Sequence, residues 1–270
     1  MHTSLHLDTP SKTEATIPDF DDGEYLLHYV AVTDVGVKRT HNEDSCLALS
    51  RDDGSEVLLI VADGMGGYMG GDLASRLAVN ALQEAFLKQH LDDSQDFERI
   101  FTQIDCDIRA RLLAGNGGTT CVTALLDNDT VTVANIGDSR AYLYRDAALD
   151  RLTKDDSLVQ TLVDAGRLTD AQAREYPRRN VIFKALGTGK EVTPTITHLR
   201  FMDGDLVILC SDGLCGFIDD QQLRETISEA SELDNIEDLE QLCRTLISKA
   251  IETGSTDNIT VACCQKSVVR

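Results

Sequence analysis

The sequence predicts an α+β fold: a β-sandwich of two mainly antiparallel sheets flanked by helices, in α-β-β-α layers. Strand-like runs and helix-like pairs are segregated along the chain instead of alternating strictly. Consecutive strands are joined by short turns such as Asp127-Asn-Asp-Thr130, which imply antiparallel pairing. Stacking two sheets with helices outside buries all of these apolar faces.

Strands are expected at 26–33, 45–50 and 57–62, where β-prone apolar residues run together. Apolar residues at helical spacing predict helices at 72–90 and 97–114. Three strands follow, at 119–126, 130–136 and 140–145. Residues 153–190 read as irregular, with a short helix near 157–166. So long an irregular stretch points to a functional flap more than to a connector. Strands at 194–200 and 205–210, helices at 219–230 and 235–252, and a strand at 258–265 complete the reading.

The chain has 270 residues and is 42% hydrophobic, enough for one large core. No linker or internal repeat divides it, so residues 24–270 are expected to form one domain. Residues 1–23 are polar and read as a flexible extension without the pattern of a signal peptide. No apolar run is long enough for a membrane span. A net charge of −21 argues against nucleic acid, which needs a basic footprint. The eight cysteines form no CxxC pair, and several lie in strand patterns as small hydrophobes, which fits a reducing cytoplasm.

The acids at strand ends need another account. "LLIVADGMGG" and "DLVILCSDGL" each carry an apolar run into Asp-Gly, at Asp63-Gly64 and Asp212-Gly213. Asp257 precedes a β-prone run and Asp138 follows one. A half-buried carboxylate is costly unless something positive meets it. Acids repeated at the ends of buried strands therefore point to hard divalent cations held by oxygen ligands. Arg39, Glu43 and Asp44 in "KRTHNEDS" add an arginine suited to phosphate and two more carboxylates, the components of a two-metal hydrolase.

Other readings are weaker. The glycines at 64, 66, 67, 70 and 71 lack the Lys-Ser/Thr of a phosphate loop, because Asp72 follows. A nucleophilic Ser139 in "GDSRA" has no recognisable histidine partner. "CQKSVVR", from Cys264 to Arg270, has the spacing of a cysteine-dependent phosphatase loop but none of its glycines.

Six strings, "RTHNED", "VADGMGGYMGGDLAS", "GTT", "IGDSRAYL", "CSDGL" and "TDNIT", occur in the order and spacing of metal-dependent protein phosphatases of the 2C type. The chain resembles the bacterial branch of that family over about residues 26–265. The resemblance implies hydrolysis of phosphoserine and phosphothreonine in proteins by direct attack of a metal-bound hydroxide. It also implies two Mn²⁺ or Mg²⁺ ions. Asp63 would bridge both, with the Gly64 carbonyl on one and Asp212 and Asp257 on the other. Glu43 and Asp44 would order metal-bound waters, and Arg39 would bind the phosphoryl group. Asp138, with Asp212, would hold a weaker third ion. Expected partners are serine/threonine-phosphorylated proteins, a cognate kinase among them, and neither nucleic acid nor membrane. A catalytically silent phosphoprotein-binding module on the same fold is the alternative.

This chain departs from the family pattern at "DDS" (Asp155 to Ser157), at Tyr176-Pro177 and at Asp72, where relatives often carry Asp-His-Ser, His-Pro and Glu. None of these removes an implied ligand; the first two bear on the flap and on substrate choice. Animal members carry histidine directly after the first Asp-Gly, where this chain has Met65.

Overall fold

The computed structural model describes residues 25–66, 70–91, 93–112, 117–189, 192–230, 233 and 235–268. The expected extension at 1–23 lies outside them. Three strands come first among the described residues: β1 (Tyr25–Asp34), β2 (Ser45–Ser50) and β3 (Val57–Ala62). The short β4 (Gly64–Met65) leads into α1 (Gly70–Leu87) and α2 (Ser94–Arg111). Next come β5 (Gly118–Thr119), β6 (Cys121–Leu126), β7 (Thr130–Ile136), β8 (Arg140–Arg145) and β9 (Ala148–Arg151). The flap carries α3 (Leu158–Asp164) and α4 (Asp170–Arg174). After β10 (Thr195–Arg200) and β11 (Leu206–Cys210) stand α5 (Asp212–Cys215), α6 (Asp220–Glu229), α7 (Ile236–Glu252) and β12 (Ile259–Val268).

Two five-stranded sheets form, in the orders β1-β12-β11-β8-β9 and β10-β7-β6-β3-β2, with every pairing antiparallel. The core has three parts, as the layered fold requires. Between the sheets lie Val57, Leu59 and Val61 of β3, Val131 and Val133 of β7, and Val207 and Leu209 of β11. The alternate residues Leu58 and Ile60 face α1 and α2, against Leu82, Phe86, Phe97 and Phe101. Ile208 and Cys210 face the other way, toward Leu242, Leu246 and Ile247 of α7. The central strands β3, β6 and β11 are buried along their whole length, which explains why they read as unbroken apolar runs.

Side chains start the helices where the sequence changes period. Asp93 caps α2 by accepting from Asp96 N, and Asn235 caps α7 by accepting from Asp238 N. Capping boxes open α4 (Thr169 with Gln172) and α6 (Asp219 with Gln222).

Several elements differ from expectation. The strand expected over 119–126 is split, because Thr120 turns its amide to the carbonyl of Asp63 instead of continuing a ladder. β9 adds an edge strand to the first sheet, and the short helices α4 and α5 were not expected. No helix among the described residues is long and apolar enough to cross a membrane.

Candidate active site

The acids singled out in the sequence sit where the strand ends of both sheets meet. Asp63 follows β3 and Asp138 follows β7, in the sheet that packs on α1 and α2. Asp212 follows β11 and Asp257 precedes β12, in the opposite sheet. Removal from water and the charges of Asp44, Asp212 and Asp138 hold the Asp63 carboxyl well above the usual range. Burial and the charge of Asp257 raise Asp212, against the pull of a hydrogen bond with Asp63. Burial, with Asp212 and Asp155 adding to it, pushes Asp138 up to about 8. These carboxyls repel one another and are poorly solvated.

Close backbone contacts bring them together. A Cβ on Gly213 would lie 1.9 Å from the Asn258 carbonyl, so only glycine lets the Asp212 turn approach the Asp257 loop so closely. At Gly64 a Cβ would lie 2.4 Å from both the Glu43 and Gly71 carbonyls, so the start of α1 and the Glu43 loop close on Asp63. Thr119 and Thr120, the threonines of "GTT", secure the Asp63 backbone. Thr119 Oγ1 donates to its carbonyl at 2.9 Å, and its amide donates to Thr120 Oγ1 at 3.1 Å. Thr120 Oγ1 also contacts Ser139 Oγ at 2.7 Å, which links the Asp63 and Asp138 turns.

The loop before β2 is fastened by Asn258, a residue to which the sequence reading assigned no role. Its Nδ2 donates to the carbonyls of Val35 and His41, and its Oδ1 accepts from Glu43 N. Arg39, on that loop, is about half exposed and donates to Asp257 Oδ2 at 2.8 Å. Asp44 is buried and accepts from Thr260 Oγ1 at 2.6 Å. Burial pushes its carboxyl up to about 7 despite the hydrogen bonds from Thr260 and Ser211. Partial burial raises Glu43 as well, against the pull of Arg39.

Asp138, Asp212 and Asp257 line a cleft of about 490 Å³ that runs under the flap, where Arg174, Arg179 and Asn180 face it. Arg39, Glu43 and Asp63 are not among its walls. The flap is tied down on both sides. Arg174 donates to the carbonyls of Cys215 and Ile218, just past the Asp212 turn. Asp155 holds Arg140 through Nε and Nη2, the latter at 2.7 Å.

The donor set fits hard divalent cations. It consists of carboxyls and a candidate backbone carbonyl, in a region where burial, with charge repulsion added, raises several pKa values. Among the described residues no three His, Cys, Asp or Glu side chains form a closed ligand set, so the chemistry of the donors carries the fit. The weaker nucleophile readings do not hold. Ser139 is buried and bonded to Thr120. Cys264 is buried in β12 and burial pushes its thiol up, away from the reactive thiolate. Arg270 lies outside the described residues.

Residues 36–249 match the family model described as Protein phosphatase 2C. The chain belongs to the protein phosphatase 2C family. Within that family it is 39% identical over 251 residues to the serine/threonine protein phosphatase PstP of Mycobacterium tuberculosis. That match covers 87% of this chain but 44% of the relative, so the chain spans about half the length of that protein. It is 31% identical over 253 residues to the serine/threonine phosphatase Stp of Listeria welshimeri, covering 90% of this chain and 98% of the relative. Among solved structures, the catalytic domain of PstP in complex with two manganese ions superposes with a TM-score of 0.75 at 34% identity. It covers 90% of this chain and all of that one. The two-sheet sandwich is thus the protein phosphatase 2C fold.

Proposed function

We propose that residues 24–270 form one phosphatase domain that hydrolyses phosphoserine and phosphothreonine monoesters in proteins with two Mn²⁺ or Mg²⁺ ions. The observation that carries this reading is the meeting of Asp63, Asp212, Asp257 and Asp138 at the ends of strands from both sheets. Asp63 would be shared between the ions, with the Gly64 carbonyl on one and Asp212 and Asp257 on the other. When bound, the ions lower the pKa of water and neutralise the phosphoryl oxygens, so that hydrolysis is direct and needs no covalent enzyme intermediate.

The chain's own residues do the rest. Asp44 and Glu43 would orient water beside the bound ions. Arg39, released from Asp257, presents its planar fork to the phosphoryl group. Asp138, with Asp212, would take a weaker third ion. The buried, strand-borne thiols suit a reducing compartment such as the cytoplasm. Substrates are phosphoproteins, and a kinase phosphorylated on serine or threonine belongs to that class.

Hydrolysis of a phosphothreonine peptide, with MnCl₂ and with EDTA, tests the proposal. Turnover that requires Mn²⁺ supports it. Full turnover in EDTA would remove the metal from the reading, and binding of the peptide without turnover would favour the catalytically silent module.

A further inference from the structure

The flap begins against the turn that carries Asp138, and its returning end packs on that beginning. Asp156, at the start of the flap, makes a reciprocal pair of bonds with Gly137. Gly137 N donates to Asp156 Oδ2 at 3.1 Å, and Asp156 N donates to the Gly137 carbonyl at 2.9 Å. The same residue grips the returning end of the flap. Its carbonyl accepts from Phe183 N at 2.6 Å, and its Oδ1 pairs with Lys184 Nζ at 3.1 Å. The neighbouring residues extend the junction, with Ser157 bridged to Ile182 and Leu158 N donating to the Val181 carbonyl.

The two oxygens of one carboxylate therefore serve different bodies, one the Asp138 turn and the other the flap's return. Asp156 is mostly covered, whereas Lys184 is 41% exposed. The Asp156 side chain is the inner end of this link and Lys184 the end that solvent and ligands can reach. An ion pair this close to water adds little to global stability. What it can set is which position of the flap goes with which position of the Asp138 turn.

We propose that Asp156 is a positioning residue that couples the flap, through Lys184, to the Asp138 carboxylate and so sets how readily Asp138 takes up a divalent ion. The inference rests on the proposed role of Asp138 in holding the weaker ion. It assigns a function to one of the positions where this chain departs from the family pattern. Histidine at 156 could donate to a neighbour or accept from one. It could not bind Gly137 N and a lysine at once as a carboxylate does.

Three variants test it: Asp156→Ala, Asp156→Asn and Lys184→Met. Asparagine can still accept from Gly137 N but loses the charge pair. Lys184 is exposed enough that its replacement should leave the fold intact. Amide exchange at 137–139 and at 181–184 should quicken together in Asp156→Ala and in Lys184→Met, a readout that needs no metal. In titrations with MnCl₂, the half-saturating concentration of the weaker phase should rise about fivefold or more. Turnover lost at low Mn²⁺ should return at high Mn²⁺, which a merely structural defect would not show. Asp156→Asn should lie between Asp156→Ala and the unaltered chain, and adding Lys184→Met to Asp156→Ala should change nothing further.

Unchanged exchange at 137–139 in both Asp156→Ala and Lys184→Met would overturn the coupling. So would an unmoved Mn²⁺ titration in Asp156→Ala when Asp138→Ala, run beside it, abolishes the weaker phase. If Asp138→Ala itself leaves that phase intact, the reading of Asp138 fails and the inference falls with it.

Discussion

Arg39 donates to Asp257 across 2.8 Å, so the cation expected to grip phosphate rests on a carboxylate expected to hold metal. The pair is exposed enough to contribute little to stability. An ion at Asp257 would compete with the guanidinium, and a phosphoryl group would give it a new partner. Arg39→Ala should weaken binding of substrate and of inorganic phosphate by roughly 1.5–3 kcal/mol, the scale of a charge-assisted hydrogen bond. Lysine should restore part of this, because it lacks the planar fork. An unchanged KM and an unchanged phosphate inhibition constant would make the arginine structural.

The acid cluster should leave a signature on the metal-free protein. Burial and mutual repulsion raise Asp63 and Asp212 and push Asp44 to about 7 and Asp138 to about 8. Each group binds its proton more tightly folded than unfolded, where aspartate titrates near about 4. Their contribution is fully present below that pH and is lost as pH rises toward 8. The Tm in EDTA should therefore fall between pH 5 and pH 8, and Mn²⁺ should restore it most at pH 8. Asp63→Asn and Asp212→Asn should flatten the fall. They should also cost more turnover than the roughly 10–100-fold that loss of an outer metal partner costs. A Tm in EDTA that ignores pH would contradict the clustering.

Asn258 fastens three backbone groups of the Arg39 loop: the carbonyls of Val35 and His41 and the amide of Glu43. Asn258→Ala leaves them without that partner, at about 1–3 kcal/mol for each that stays dry. Each kcal/mol lowers Tm by about 2–4 °C in a chain of this size class. KM should rise as Arg39 loses its support. Aspartate keeps the acceptor for Glu43 and loses both donations, so it should be an incomplete substitute. Equal Tm and KM in Asn258→Ala would mean that the loop holds itself.

Met65 follows the first Asp-Gly and lies in β4, paired with Gly118. A thioether cannot protonate a departing oxygen. A missing positioned acid costs about 10²–10⁴-fold for a poor leaving group and little for one that departs as an anion. Aryl phosphates with acidic phenols should therefore turn over much faster than those with basic ones when chemistry limits the rate. A flat dependence on leaving-group pKa would place the proton donor elsewhere, with the flap the first place to look.

Much of this architecture was legible because burial leaves a plain mark. The bounds of β2, β3, β7 and β8 coincide with their apolar runs, and the acids stood out because they interrupt such runs at their ends. β9 was missed because its four residues lie on a sheet edge, where no apolar period is imposed. α5 is a single turn after "CS" and has no room for a period. α4 has a readable signal in its capping box, Thr169 with Gln172, inside a stretch that otherwise reads as irregular. Within the site the carboxylates were visible, whereas the roles of Asn258 and Asp156 were not. Asn258 meets Glu43 from 215 positions along the chain, and Asp156 acts through a backbone amide and an exposed lysine. Residue type alone does not announce such partners.

Asp63 hangs from one sheet and Asp212 and Asp257 from the other, while the layer between the sheets is made mainly of apolar contacts. Such contacts resist separation but have little directional preference, so directional bonds between the layers, such as those of Tyr29 to Ser50 and Thr260 to Asp44, help fix how one sheet sits over the other. A cation held by these acids, as proposed, would be a rivet through the laminate. It would pin the stagger of the two layers at one edge, and the residues along their common face would inherit that alignment.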